Sequence, residues 1–303
     1  MPAGSPKLSV VASALAPDLR SAPAVARQLG FGGLQLPTAF GGTDLTTLSG
    51  TGQRDVRHLL ATHEQQLVSL SVDLGSKGFG PGADIDRVLA VLRSAMAAAR
   101  GLAAGVVCID LGPLPQPARE EKPVPKVTPG MAGLILLPTM PIDPAVAAAK
   151  DKPAGTADPG FFSQVDAALF ELGRLADAAG VVFACRSDLA SFAALERALR
   201  AANCPWFGVD LDPVALLRDE WEPDEVFGRL GGLVRHVRVR DAIGGAGGRT
   251  RPAAVGRGDT VWPDLLARLD DAGYHGWLTV DPTELPDRPA AAAAAAGVLR
   301  KSR

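Results

Sequence analysis

Three segments of the chain place polar or ionisable side chains at every second position. In Val234-Arg235-His236-Val237-Arg238-Val239-Arg240-Asp241, an extended backbone puts His236, Arg238 and Arg240 on one face and Val237 and Val239 on the other. Phe207 to Asp212 alternates in the same way, with Asp210 and Asp212 sharing a face, and Trp277 to Asp281 aligns Thr279 with Asp281. Arg186 closes a fourth run that begins at Val181. Carboxylates of this kind move protons or ligate a cation. Guanidiniums do neither: they stay protonated and offer donors without a lone pair. A face that mixes the two is either a satisfied salt-bridge network or the wall of a wet pocket, because an unpaired buried charge is too costly.

The elements that carry these residues repeat. Strand-like runs begin at Lys7, Gly33, Leu67, Gly105, Val181, Trp206, Val234 and Trp277. Helical patterns lie between them, over 19–29, 55–66, 84–102, 161–179, 188–202 and 261–272, with a broken helical region around Trp221-Glu222-Pro223 and a closing Ala-rich helix over 288–303. Strand and helix alternate eight times, which predicts an α/β fold: a parallel sheet closed into a single (β/α)₈ barrel over 1–303. An open doubly wound sheet is the competing arrangement. It opens with a Gly-rich phosphate loop, and Ser13-Ala14-Leu15-Ala16-Pro17 is not one. The rhythm breaks once, in a Pro-rich insertion over 113–160 after the fourth strand, with an apolar island at Met131 to Leu137. That length suits a lid, a subunit contact or a partly disordered loop, and it is the candidate route to a homo-oligomer. Gly244 to Gly258 reads as a flexible loop.

The bulk properties narrow the function classes. The 303 residues carry a net charge of −2, which gives no basic field for nucleic acid. No apolar run approaches the roughly 20 residues of a membrane span, and Met1 to Pro6 has no signal-like apolar core. Cys108, Cys185 and Cys204 are widely spaced and read as reduced thiols of a cytoplasmic protein. Alternation turns Cys185 outward from the barrel. His58 and His63 sit near one helical turn apart, without an evident third ligand, and read as surface histidines; His275 sits in a turn beside Trp277.

Several short stretches resemble one family. Leu29-Gly30-Phe31-Gly32-Gly33-Leu34-Gln35 is similar to the "LGfdGvE" second strand of the xylose isomerase-like TIM barrels, the superfamily of sugar and sugar-phosphate isomerases and epimerases, with Gln35 where Glu is common. Val237 to Asp241 resembles its "vHvkD". Val255 to Val261 resembles "lGeGxvd", and Gly273 to Asp281 resembles "GYdGwlxiE". Their order and spacing cover nearly the whole chain apart from the insertion.

The resemblance implies a divalent metal held by a Glu on the fifth strand, an Asp on the sixth, a His on the seventh and a Glu on the eighth, the two Glu also moving protons on a sugar. Carried over one at a time, these positions fall on Arg186, Asp212, Arg238 and Asp281, and a His three residues beyond the sixth-strand Asp falls on Ala215. Two ligands have become permanent cations, so no family-type Mn, Mg, Co or Zn ion and no other cofactor is expected. Arg186 pairing with Asp281, and Arg238 with Asp212 or Asp210, would fill the metal's place. The expected protein is isomerase/epimerase-like and takes a sugar, sugar phosphate or sugar acid at the C-terminal face of the barrel. Asp281 and Asp212 are its candidate catalytic groups, and Arg186, Arg238, His236, Arg240, Asp210 and Gln35 its candidate substrate-binding groups. The alternative is a non-catalytic binding protein or scaffold whose mouth is filled by Arg–Asp pairs. Ser69, Ser71, Asp73 and Asp110 from the third and fourth strands are candidates to share the same interior.

Overall fold

The structure, a computed structural model, describes residues 6–115, 159–186, 188 and 190–302. Eight parallel strands close into a barrel: β1 (Leu8–Val11), β2 (Gly33–Pro37), β3 (Gln66–Val72), β4 (Val106–Asp110), β5 (Val182–Arg186), β6 (Phe207–Leu211), β7 (Val234–Val239) and β8 (Leu278–Val280). Each pairs with its neighbours in sequence, and β1 closes on β8 through Leu8↔Leu278 and Val10↔Val280. Parallel strands need long crossovers, and helices supply them. Those named here are α1 (Ala22–Gln28), α2 (Gly50–Thr62), α3 (Ile85–Leu102), α4 (Pro159–Ala179), α5 (Phe192–Ala202), α6 (Pro213–Asp219), α7 (Pro223–Leu230), α8 (Trp262–Asp271) and α9 (Arg288–Lys301).

The core lies between strands and helices. Leu34, Leu70, Val107, Ile109, Phe183, Val209, Val237 and Val239 point away from the barrel axis and are fully buried against the helix layer. Burial of each such side chain stabilises by about 1.5–3 kcal/mol. Cys185 joins this layer, as its outward alternation predicts, and burial pushes its thiol pKa up. Most of the inward positions are polar instead, and they make the site.

Local boundaries differ from the sequence reading where side-chain caps decide them. Ser49 Oγ accepts from Gly52 N at 3.2 Å, so α2 begins before the expected position 55 and ends at Thr62. Ser191 caps α5 in the same manner, which leaves Asp188 in the loop after β5 rather than in a helix. The first strand stops at Val11, where a single turn of 3-10 helix takes over. Gly244 to Gly258 is not a plain loop: Asp241–Gly245 pairs antiparallel with Arg249–Ala253 in a hairpin. Most of the 113–160 insertion, with its apolar island and its expected lid or oligomer role, lies outside the described residues. Among the described residues no helix is long and apolar enough to cross a membrane.

The hairpin is clamped by one buried carboxylate. Asp241 accepts from the backbone N–H of Gly256 (2.9 Å), Gly258 (3.2 Å) and Thr260 (3.2 Å), and from Trp262 Nε1 (3.1 Å). A Cβ at Gly258 would stand 2.2 Å from Asp241 Oδ1, so only glycine lets the chain wrap this closely. The "vHvkD"- and "lGeGxvd"-like stretches are thus two halves of one loop anchor. Asp241→Ala orphans these donors and is expected to cost about 3 kcal/mol or more, given roughly 1–3 kcal/mol for each unsatisfied buried group. Gly258→Ala is expected to cost about 1–3 kcal/mol through overpacking. Urea unfolding measures both, and wild-type stability in either variant would dissolve the clamp.

Candidate active site at the barrel mouth

The inward side chains form two tiers. The lower tier lies within the barrel. His236 Nδ1 meets Asp210 Oδ1 at 2.6 Å, and its Nε2 lies 2.8 Å from Thr279 Oγ1, which in turn lies 2.8 Å from Ser9 Oγ. Ser69 Oγ approaches the same Nε2 at 3.3 Å. Gln35 Nε2 donates to Ser69 Oγ (2.9 Å) and to Cys108 Sγ (3.3 Å). All of these residues are buried.

Their charges follow from that geometry. Burial opposes the charge on both members of the central pair. For Asp210, His236 and Arg238 prevail over burial and hold the carboxyl down to about 2. For His236, Cys108 and Asp210 prevail and raise the imidazole to about 10. The doubly protonated ring then donates to Asp210 on one side and Thr279 on the other, and Thr279 passes its own proton toward Ser9. Cys108, Asp210 and His236 are also a group whose ligand atoms lie within 4.8 Å of one another. Both imidazole nitrogens are already committed to Asp210 and Thr279, so the cluster acts as a hydrogen-bonded network.

The upper tier opens to a cavity of about 650 Å³ at the C-terminal ends of the strands. Gln35 forms part of its floor. Asp110, Arg186, Arg238 and Asp281 stand around it at the tips of β4, β5, β7 and just past β8. Ser71, Asp73 and Asp188 complete its polar wall.

Pairing differs from expectation. Arg238, not Arg186, takes Asp281, with Nη1 to Oδ2 at 2.5 Å. Asp210 is only a loose second partner of Arg238, at 3.9 Å. Asp212 belongs instead to Arg240, at 2.5 Å, and Arg240 also reaches Asp188 at 2.7 Å and Glu284 at 3.1 Å. Among the described residues, Arg186 pairs only with Asp188, at 3.8 Å. The reason is register and reach: Thr279 pairs with Arg238 across β7 and β8, so Asp281 stands one inward position above Arg238, within reach of its long side chain. Arg186 stands in register with Asp110 on β4, away from β8.

The placement sorts the expected site residues. Arg186, Arg238 and Asp281 face the cavity together, with Gln35 below them. His236 and Asp210 are sealed beneath the floor at 1% exposure each. Asp212 is wholly buried, caps α6 by accepting from Val214 N at 2.9 Å, and is not part of the cavity wall. Burial lifts the Asp212 carboxyl to about 6 despite Arg240. Burial also acts on Asp281, but Arg238 and the Thr283 hydroxyl and N–H outweigh it and hold that carboxyl below its ordinary value. Asp110 was legible only as a possible neighbour; nothing in its spacing marks it as a partly buried cavity carboxyl without an ion pair among the described residues.

The sequence profile of the xylose isomerase-like TIM barrel matches residues 23–302. The chain belongs to that family. Its fold is shared with a xylose isomerase domain protein from Planctomyces limnophilus (TM-score 0.69, 16% identity, covering 99% of this chain and 98% of that one). D-psicose 3-epimerase from Clostridium cellulolyticum H10 is similar to the same degree (TM-score 0.68, 14% identity, 97% and 98% covered). A xylose isomerase-like TIM barrel protein from Mycobacterium smegmatis, in complex with magnesium, overlays with TM-score 0.64 at 15% identity, with 93% and 87% covered. No curated protein matches the sequence.

Two outcomes follow. Arg238→Met leaves Asp281 buried without its cation and is expected to cost about 3–5 kcal/mol, the usual penalty for removing one partner of a buried pair. Adding Asp281→Asn should recover part of that loss, and chemical denaturation of the four proteins of the cycle measures it. The His236–Asp210 pair sets a pH window. The folded pKa of His236 lies above its ordinary 6.5, so its stabilisation is complete below about 6.5 and fades as pH rises toward 10. That of Asp210 lies below 3.8, so its share fades as pH falls from 3.8 toward 2. The stability gap between wild type and His236→Gln should therefore narrow from pH 6.5 to 10; a constant gap would mean a neutral imidazole.

Proposed function

We propose that the chain is an isomerase/epimerase-like protein that binds a small, uncharged carbohydrate at the barrel mouth and works without the divalent cation typical of its family. The observation that carries this reading is the set of side chains around the cavity. Of the four positions to which the resemblance assigns metal ligands, two hold guanidiniums, and one of these is ion-paired to a third position at 2.5 Å. A guanidinium has no lone pair to give. Two unit charges 4 Å apart at an effective dielectric of about 20 interact by roughly 4 kcal/mol, and a divalent ion doubles the repulsion. This donor set does not fit the cation.

The fold supports the place of action, because active sites of such barrels lie at the C-terminal ends of the strands. A cavity of about 650 Å³ is of ligand-binding size. Its charges favour a polyol over an anion: Asp73, Asp110, Asp188 and Asp281 outnumber Arg186 and Arg238 on its wall. That acceptor excess suits hydroxyl donors and disfavours the phosphate or sugar acid that the arginines alone suggest.

A second reading, a non-catalytic binding protein, has its own support. Asp281 Oδ1 already accepts from Thr283 N and Oγ1, and Oδ2 from Arg238, so this carboxylate has little capacity left for proton transfer. Asp212 is likewise committed, to Arg240 and Val214.

Thermal shift and calorimetry on chelator-treated protein should show stabilisation by D-fructose or D-tagatose that exceeds that by their phosphates. Mass spectrometry after incubation with Mn²⁺, Co²⁺, Mg²⁺ and Zn²⁺ should find no stoichiometric ion. An ion lost on Asp281→Asn would return the protein to metal-dependent chemistry, and a sugar panel without effect would remove the carbohydrate assignment.

A further inference from the structure

The family positions leave the cavity without an available base, yet two other carboxyls in it, Asp73 and Asp110, make no ion pair among the described residues, and of the two only Asp110 is partly buried. Asp110 ends β4, lines the cavity, and makes no ion pair among the described residues. One of its oxygens, Oδ1, accepts from Gly112 N at 2.8 Å, which leaves Oδ2 for a ligand. The turn that holds it is built closely. Gly112 has φ +83°, and a Cβ there would stand 2.2 Å from Lys77 O. Phe79 N donates to Leu111 O at 2.8 Å, locking the β3 loop against the same turn. In register beside Asp110 stands Arg186. Its Nε is buried and has no hydrogen-bond partner, and its only ion pair among the described residues is the long one to Asp188.

We propose that Asp110 and Arg186 form a metal-free proton-transfer pair acting on an α-hydroxy carbonyl sugar, a free ketose or aldose. The proposal rests on the carbohydrate reading above and deepens it. The Asp110 carboxylate takes the proton from the carbon next to the carbonyl. The C–H electron pair forms the C=C bond of an enediolate, and the carbonyl π pair moves onto oxygen. The Arg186 guanidinium, with an N–H to spare, holds that oxygen as its charge develops, the part a metal plays elsewhere. The proton returns from Asp110 to carbon, so atoms and electrons balance without a further reactant.

The surroundings suit a base. Burial raises the Asp110 carboxyl above its ordinary value, against Gly112 N–H, Arg186 and Arg218, with Asp188 adding to the rise. Asp73 and Lys77, on the β3 loop, are the other charged groups of this quarter of the mouth. A carboxylate kept in a partly dry site without a bonded cation is a stronger base than one in water.

The test is deuterium wash-in from D₂O into D-tagatose and D-fructose, followed by NMR, with sugar affinity measured in parallel by calorimetry. Wild type should exchange the proton next to the carbonyl, faster as pH rises through the Asp110 titration. Asp110→Asn, which keeps the Gly112 hydrogen bond, should lose about 100-fold or more of the rate, the usual share of a general base, while affinity changes by less than about threefold. Asp110→Glu should restore part of it, and Arg186→Met should slow exchange while Arg186→Lys retains some. Exchange by Asp110→Asn at the wild-type rate overturns the proposal and leaves the carbohydrate reading standing. So does a wild type that binds sugar without exchange. A wild type that binds neither sugar overturns both.

Discussion

Strand β7 supplies three of the cations of the barrel interior, and the site depends on how those charges are neutralised. His236, Arg238 and Arg240 share one face, and each has drawn a carboxylate from β6 or β8: Asp210, Asp281 and Asp212. A guanidinium buried as deeply as that of Arg238 is tolerated only with its charge matched and its donors engaged. Arg238 is matched by Asp281, but its Nε and the facing Asp210 Oδ2 both lack partners, 3.9 Å apart. The interior is therefore nearly, not wholly, satisfied, and the remaining capacity lies at the boundary between the sealed lower tier and the open cavity.

The two sides of the mouth differ in how far their side chains are committed to one another. The β6–β8 quarter holds most of the ion pairs and gives rigidity. The β4–β5 quarter, with Asp110 and Arg186, keeps unused hydrogen-bonding groups and faces the cavity.

Much of this was legible in the sequence. Alternation in three strands announced a polar interior, and the eight-fold rhythm announced the barrel. The pairing was not legible, because it depends on register: a shift of one residue between β7 and β8 would have given Asp281 a different neighbour. Cap residues explain the boundary errors, since Ser49 and Ser191 fix helix starts by single hydrogen bonds that periodicity does not reveal. The role of Asp241 was hidden for another reason. Its donors come from Gly256 to Trp262, beyond a hairpin that a Gly-rich composition disguised as a loop. Asp110 is an ordinary strand-end aspartate in the sequence, and only the cavity distinguishes it.

The three thiols also form an internal clock. Cys108 lies inside the barrel against Gln35, Cys185 between strand and helix layers, and Cys204 is partly accessible. A thiol reagent reaches the first two only when the barrel parts, and at reagent concentrations high enough to outpace reclosing the rate is that of opening. Labelling Cys108 against Cys185 would report whether the inside of the ring and its outer wall come apart together, which turns an incidental pair of buried sulfurs into a probe of the barrel's cooperativity.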